Sequence, residues 1–217
     1  MNNKLIKILE KSHYQTFDFL DDTKRDSNST LKFKLSNLDS YDLTDKIILD
    51  IGCNAGYFLF RLLNKNPKKM IGVDLSEKFI EIANALNIEH FKSDRITFIQ
   101  NDILKIDSFI DFDFIICFST FHYFIDSQKY FIDKVYDMLK KDSIFLLEIE
   151  EYPTNNSAAI YKKVRPAQIK QNIFLDYPNQ KQLDLWFENK FKVLSKKESV
   201  FQAGSLYPRY FYELKKI

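Results

Sequence analysis

Short apolar runs alternate with longer amphipathic stretches along most of the chain. Lys46-Ile-Ile-Leu-Asp-Ile51 is almost wholly apolar and stops at Gly52, the pattern of a strand covered on both faces of a parallel sheet. A helix is predicted from about Gly56 to Asn64. Lys69-Met-Ile-Gly-Val-Asp74 is a second such run, and Ser76 stands as N-cap of a helix with Phe79, Ile82, Ala83 and Leu86 at helical spacing. Ile96–Gln100, Phe112–Phe118 and Ser143–Ile149 read as three further strands, with a helix near Ser127 to Lys140 linking the last two. Beyond residue 150 the rhythm gives way to a polar, irregular stretch. A helix then follows around Gln180 to Asn189, with Asn179 and Gln182 at capping-box spacing. Two final strands, about Phe191 to Val200 and Arg209 to Lys215, read as an antiparallel pair at a sheet edge. Strands alternating with helices predict a doubly wound α/β fold.

Without an internal repeat, a Pro/Gly-rich linker or a low-complexity block, the 217 residues fit one domain, 1–217. A net charge of +2 is too small for the electrostatic footprint of a long polyanion, so nucleic acid is disfavoured as a partner. The apolar stretch at the N-terminus is too short and too interrupted by lysine for a signal peptide, and no later segment could span a bilayer. A cytoplasmic location is expected. Cys53 and Cys117 form no metal-binding or disulfide spacing pattern, which predicts two free thiols and no metal.

In a doubly wound sheet, ligands bind at the carboxyl ends of the strands. The turn after the first strand reads Asp50-Ile-Gly52-Cys53-Asn54-Ala-Gly56-Tyr57. Glycines 52 and 56 let backbone approach a ligand, Asn54 tolerates a left-handed conformation, and the following helix offers free N–H groups. A dinucleotide fingerprint would need glycine where Asn54 and Tyr57 stand, so the chain does not read as an NAD enzyme. Asp74 ends the second strand, where a carboxylate can accept both hydroxyls of a ribose. Asn101-Asp102-Ile103 follows the third, with an acceptor and an apolar neighbour suited to adenine. Each piece also has a plain structural use, as a tight turn, a cap or an exposed loop acid. Together, and in order after consecutive strands, they describe one nucleoside site.

On these residues the sequence resembles the class I S-adenosylmethionine (SAM)-dependent methyltransferases. Asp50 to Gly56 is similar to their first motif, Gly72-Val-Asp74 to the second, Asn101-Asp102 to the third, and Phe112-Asp113-Phe114 with its strand to the fourth. Asn54 departs from the family, where glycine is usual. The resemblance implies a seven-stranded, mostly parallel sheet whose last strand is antiparallel. It also implies SAM as cofactor, S-adenosylhomocysteine as product, and a site of Asp50, Gly52, Cys53, Asn54, Gly56, Asp74, Leu75, Asn101, Asp102, Ile103 and Phe118. Residues 1–44 become a lid or helical segment, 45–150 the SAM-binding core, 151–190 an acceptor-side insertion and 191–217 the terminal strand pair. Tyr14-Gln-Thr-Phe-Asp-Phe19 and Gln202 to Tyr210 further resemble small bacterial methyltransferases associated with cell-surface saccharide pathways. Strand four runs into Phe118-Ser-Thr-Phe-His122 and not the Asn/Asp-Pro-Pro-Tyr of adenine amino-methyltransferases.

O-methylation of an alcohol is helped by a base. His122, just past strand four, is the first candidate, with packing among Phe121, Tyr123 and Phe124 its structural alternative. Glu148 is the second candidate, and Tyr14 with His13 would form a lid. Lys162, Arg165 and Arg209 place cations on the acceptor side and suggest a small anionic acceptor, a solvated face being the alternative. Two rival functions are a tRNA or RNA (carboxy)methyltransferase and a non-catalytic SAM-binding protein.

Overall fold

The computed structural model describes residues 29–107, 111–151, 177–199 and 208–217. Its seven strands are β1 (Ile47–Ile51), β2 (Lys69–Asp74), β3 (Ile96–Gln100), β4 (Phe112–Cys117), β5 (Leu139–Glu150), β6 (Phe191–Glu198) and β7 (Arg209–Lys216). They lie in the order β3-β2-β1-β4-β5-β7-β6. The order turns back beside β1, which places the first turn where such sheets bind ligands. By compactness the chain divides within β4 into two units, Met1–Asp113 and Phe114–Ile217.

In the first unit β1, β2 and β3 are parallel neighbours. The helices that connect parallel strands cover both faces of such a sheet, which is why these strands are nearly continuous apolar runs whose Ile48, Leu49, Met70 and Val73 are buried. The free amide at the start of β1 is satisfied from a distance: Ile47 N–H donates to Asp113 Oδ2 at 2.9 Å. Asp113 thus has a structural use that the fourth-motif likeness did not reveal. The unit also holds α1 (Ser29–Asp39), α2 (Tyr57–Leu62) and α3 (Glu77–Leu86). Ser76 caps α3 as expected, accepting from Phe79 N–H.

In the second unit β7 runs antiparallel between β5 and β6. Helix α4 (Gln128–Met138) passes directly into β5, so the strand begins at Leu139, four residues before its sequence signal at Ser143. Residues 139–142 carry Lys140, Lys141 and Asp142, whose polarity masks the start of the strand in the sequence. Helix α5 (Gln180–Phe187) opens with the expected capping box, Asn179 and Gln182 exchanging hydrogen bonds of 3.0 Å each way. The edge strand β6 is mostly exposed and carries Lys192, Lys196 and Lys197, charges that discourage another chain from pairing with it.

Candidate functional site

The parallel strands of the first unit end level with one another. Ile51 pairs with Val73 and Asp74 with Gln100, so the turns beginning at Gly52, Leu75 and Asn101 leave the sheet side by side. Gly52 and Gly56 have φ of 74° and 83°, and Asn54 has φ of 50°, the left-handed geometry expected of it. The turn is tied to β2 by its backbone. Val73 C=O accepts from Gly52 N–H at 2.8 Å and Cys53 N–H at 3.1 Å, and Asp74 Oδ2 accepts from Asn54 N–H at 2.9 Å. Asp74 Oδ1 accepts from Ser76 N–H at 2.9 Å. Each oxygen keeps a further lone pair for a ligand hydroxyl. A Cβ at Gly72 would lie 2.8 Å from both Cys53 Sγ and a Phe98 ring carbon, so this glycine lets the turn sit against β2.

Asp50 lies beneath this turn, 2% exposed, and its Oδ2 has no hydrogen-bond partner among the described residues. Burial, with the charge of Asp74 adding to it, pushes its pKa up to about 8, against the pull of Lys34. Burial and the same two carboxylates also push the Cys53 thiol well up, which leaves Cys53 a packed thiol and not a nucleophile. A carboxyl raised in the folded state stabilises it fully below the unfolded pKa, near 3.8, and that contribution is lost as pH rises to about 8. Asp50→Asn, neutral throughout, is therefore expected to flatten the fall in Tm of the ligand-free protein over that window and to raise Tm at pH 8. Parallel Tm profiles for the two proteins would refute the buried-acid assignment.

Leu75 is exposed beside Asp74 and Ile103 is buried. Asn101 Oδ1 accepts from Asp102 N–H at 2.8 Å, and Asp102 Oδ1 accepts from Leu104 N–H at 3.0 Å, capping a short turn. The third strand end is thus held by its own polar side chains.

In the second unit, Glu148 and Glu150 project on one face of β5 at alternate positions, each with a side chain 1% exposed. Arg209 stands directly opposite Glu150 in register. Its Nε and Nη2 donate to Glu150 Oε1 at 3.0 and 2.6 Å, and its Nη1 donates to Ser119 Oγ at 2.9 Å. Ser119 Oγ donates to Glu148 Oε2 at 2.6 Å, and Ser199 Oγ donates to Glu148 Oε1 at 3.3 Å. The guanidinium expected to face an anionic acceptor is thus engaged within the chain. Sequence reading missed Ser119, Glu150 and Ser199; two glutamates on an otherwise apolar strand were the available signal, because such carboxylates are buried only when paired. A neighbouring network joins Tyr212, whose hydroxyl is pushed up by burial and by Glu151, to Glu151, Gln180 and Lys196.

Phe118 is buried against Phe211, ring centroids 5.1 Å apart. His122 is buried too, its ring 4.4 Å from that of Tyr123 and stacked 5.8 Å from that of Tyr177. His13, Tyr14, Lys162 and Arg165 lie outside the described residues. Cys53 and Cys117 are buried thiols, neither in a disulfide. Among the described residues no group of His, Cys, Asp and Glu could hold a metal ion, and no helix is long and apolar enough to cross a membrane.

The first unit suits a nucleoside that carries donor groups. Asp50 offers an unpartnered buried acceptor, Asp74 offers spare lone pairs, and Gly52 offers backbone without a side chain. Residues 43–192 match the family described as "Methyltransferase domain". The chain belongs to this family. The methyl donor of this class of methyltransferase domain is SAM, and the residues present fit it. The domain is similar over 150 residues, at 29% identity, to a tRNA U34 carboxymethyltransferase of Campylobacter jejuni, covering 66% of this chain and 48% of that one. It is 33% identical over 141 residues to a malonyl-[acyl-carrier protein] O-methyltransferase of Priestia megaterium, covering 64% and 49%. The chain spans about half the length of these curated relatives. In fold the methyltransferase domain matches the N-methyltransferase NodS of Bradyrhizobium japonicum, crystallised with S-adenosylhomocysteine, at a TM-score of 0.66 and 15% identity over 99% of both chains.

Proposed function

We propose that the protein transfers a methyl group from SAM to an oxygen of a small polar acceptor. The observation that carries the cofactor half is the set of three level strand ends, with a glycine turn locked to Asp74 and the buried Asp50 below it. SAM supplies an electrophilic methyl group on a sulfonium. The chain's part is to bind, orient and exclude water. Asp74 holds the ribose, Leu75 flanks the adenine, and the bare backbone at Gly52 admits the methionine end.

His122 is our proton acceptor for the acceptor hydroxyl, because imidazole is the side chain whose ordinary pKa suits proton acceptance near neutrality, whereas Glu148 is held in a charged network with Ser119, Ser199 and Arg209. Oxygen as the acceptor atom agrees with the O-methyltransferase relative. The anionic character of the acceptor rests on Lys162 and Arg165, Arg209 being engaged by Glu150, and the saccharide association rests on the likeness of the chain ends. A second reading, an RNA acceptor with carboxymethyl transfer, is favoured by the similarity to the tRNA-modifying relative. It weakens the argument from net charge against nucleic acid.

Mass spectrometry of the purified protein, with calorimetric titration of SAM, tests the cofactor. We expect retained SAM or S-adenosylhomocysteine and saturable binding; retained carboxy-SAM would select the second reading. An affinity for tRNA that falls steeply with salt would do the same. No binding of any of these cofactors would overturn both readings.

A further inference from the structure

Among the described residues, every non-glycine residue with φ above zero is Asp or Asn except Lys92 and Ser119. Asp and Asn adopt this backbone at little cost, because their short polar side chains bond locally. Lys92 closes the helical turn Asn87–Phe91 at its C-terminus, an ordinary place for a left-handed residue. Ser119, with φ of 54°, stands two residues past the end of β4, where serine is strained and glycine or asparagine would not be. What serine supplies there is its hydroxyl. Its Oγ donates to Glu148 Oε2 at 2.6 Å and accepts from Arg209 Nη1 at 2.9 Å. One atom thus joins the loop after β4 to both β5 and β7, at a place withdrawn from water, where hydrogen bonds to charged groups are strong.

The chain that leaves this anchor is a run of tight turns. Thr120 Oγ1 donates to Phe118 C=O at 3.0 Å, Thr120 C=O accepts from Tyr123 N–H at 3.0 Å, and Phe121 C=O accepts from Phe124 N–H at 3.1 Å. Phe121 is fully buried, its ring centroid 5.5 Å from that of Phe131 and 6.5 Å from that of Trp186. His122 is carried in this turn, three residues from Ser119 and next to the Phe121 plug. We propose that Ser119 is a positioning residue for His122: the Glu148–Ser119–Arg209 link fixes the direction in which the chain leaves β4 and so the place of the imidazole. The inference rests on His122 as the proton acceptor of the reading above, and it gives Glu148 and Arg209 a task in that reading, exerted through Ser119. A purely structural role is separable from this one. Glycine at position 119 would relieve the strained backbone and remove the hydroxyl, so its effects on stability oppose each other, whereas the placement of His122 only loses.

The test is NMR of the full chain labelled at histidine, with and without SAM. The chain has three histidines, so a His122→Asn variant identifies the His122 signal, and His90, exposed in the first unit, serves as the reference. Ser119→Gly should shift the His122 ring signals while those of His90 stay in place. Amide exchange at Tyr123 and Phe124 should quicken at least about tenfold in the same variant. Ser119→Asn, which suits the left-handed backbone and offers both a donor and an acceptor, should restore the wild-type signals. Ser119→Ala is the second variant without the hydroxyl, should the glycine protein fail to fold. Unchanged His122 signals and exchange rates in a folded variant that lacks the hydroxyl, with only Tm altered, would overturn the inference and leave His122 standing as the proposed base. SAM should also shift the His122 signal of the wild-type protein. No shift on its addition would remove His122 from the site of methyl transfer and overturn that reading and this inference together.

Discussion

Asp74→Ala is expected to lower SAM affinity at least about 100-fold while leaving a folded domain. The carboxylate does two jobs at once. Inward, its oxygens accept from Asn54 and Ser76 N–H and so fix the first turn, in which Asn54 holds a left-handed conformation, and the start of α3. Outward, the remaining lone pairs serve the two ribose hydroxyls. Hydrogen bonds to a charged group contribute about 1.5–3 kcal/mol each, so losing two at the ribose already reaches the expected factor. The stability of the unit should change little by comparison, because Asp74 is half-buried and water can replace it at the freed amides. Calorimetric titration with SAM, alongside circular dichroism and Tm, measures both. Asp74→Asn, which keeps an acceptor oxygen, should fall between wild type and alanine. Unchanged affinity in the folded alanine variant would remove Asp74 from the cofactor site.

The largest expected loss of stability comes from the second unit. Arg209→Met leaves Glu148 and Glu150 as two buried carboxylates without their cation, and breaking a buried pair in this way costs about 3–5 kcal/mol. Exposed ion pairs contribute at most about 1 kcal/mol, and the Arg209 side chain is only 10% exposed. Chemical denaturation should therefore show a strongly reduced midpoint with an unchanged slope. Adding Glu150→Gln to the methionine variant should recover part of the loss, because one uncompensated charge is then gone. A change below about 1 kcal/mol for Arg209→Met would mean that the network is weakly coupled and that Arg209 is available to a ligand after all.

The sequence by itself determined the elements and their order. Buried parallel strands must be apolar on both faces, so β1 to β4 stand out as runs, and Ser76, Asn179 and Gln182 mark helix starts because only a few side chains can satisfy free helix amides. The first turn was legible for a similar reason: φ above zero selects glycine and asparagine, and Gly52, Asn54 and Gly56 announce it. What only the tertiary structure decided are the pairings between distant residues. Asp113 with the start of β1, and Arg209 with Ser119, Glu148 and Glu150, join positions far apart in the chain. No local spacing encodes them. Arg209 shows the consequence most clearly: an arginine on the last strand suggested a hand for an anionic acceptor, but antiparallel register sets it opposite Glu150. That contact with a buried carboxylate is a property of the folded sheet and not of any segment within it.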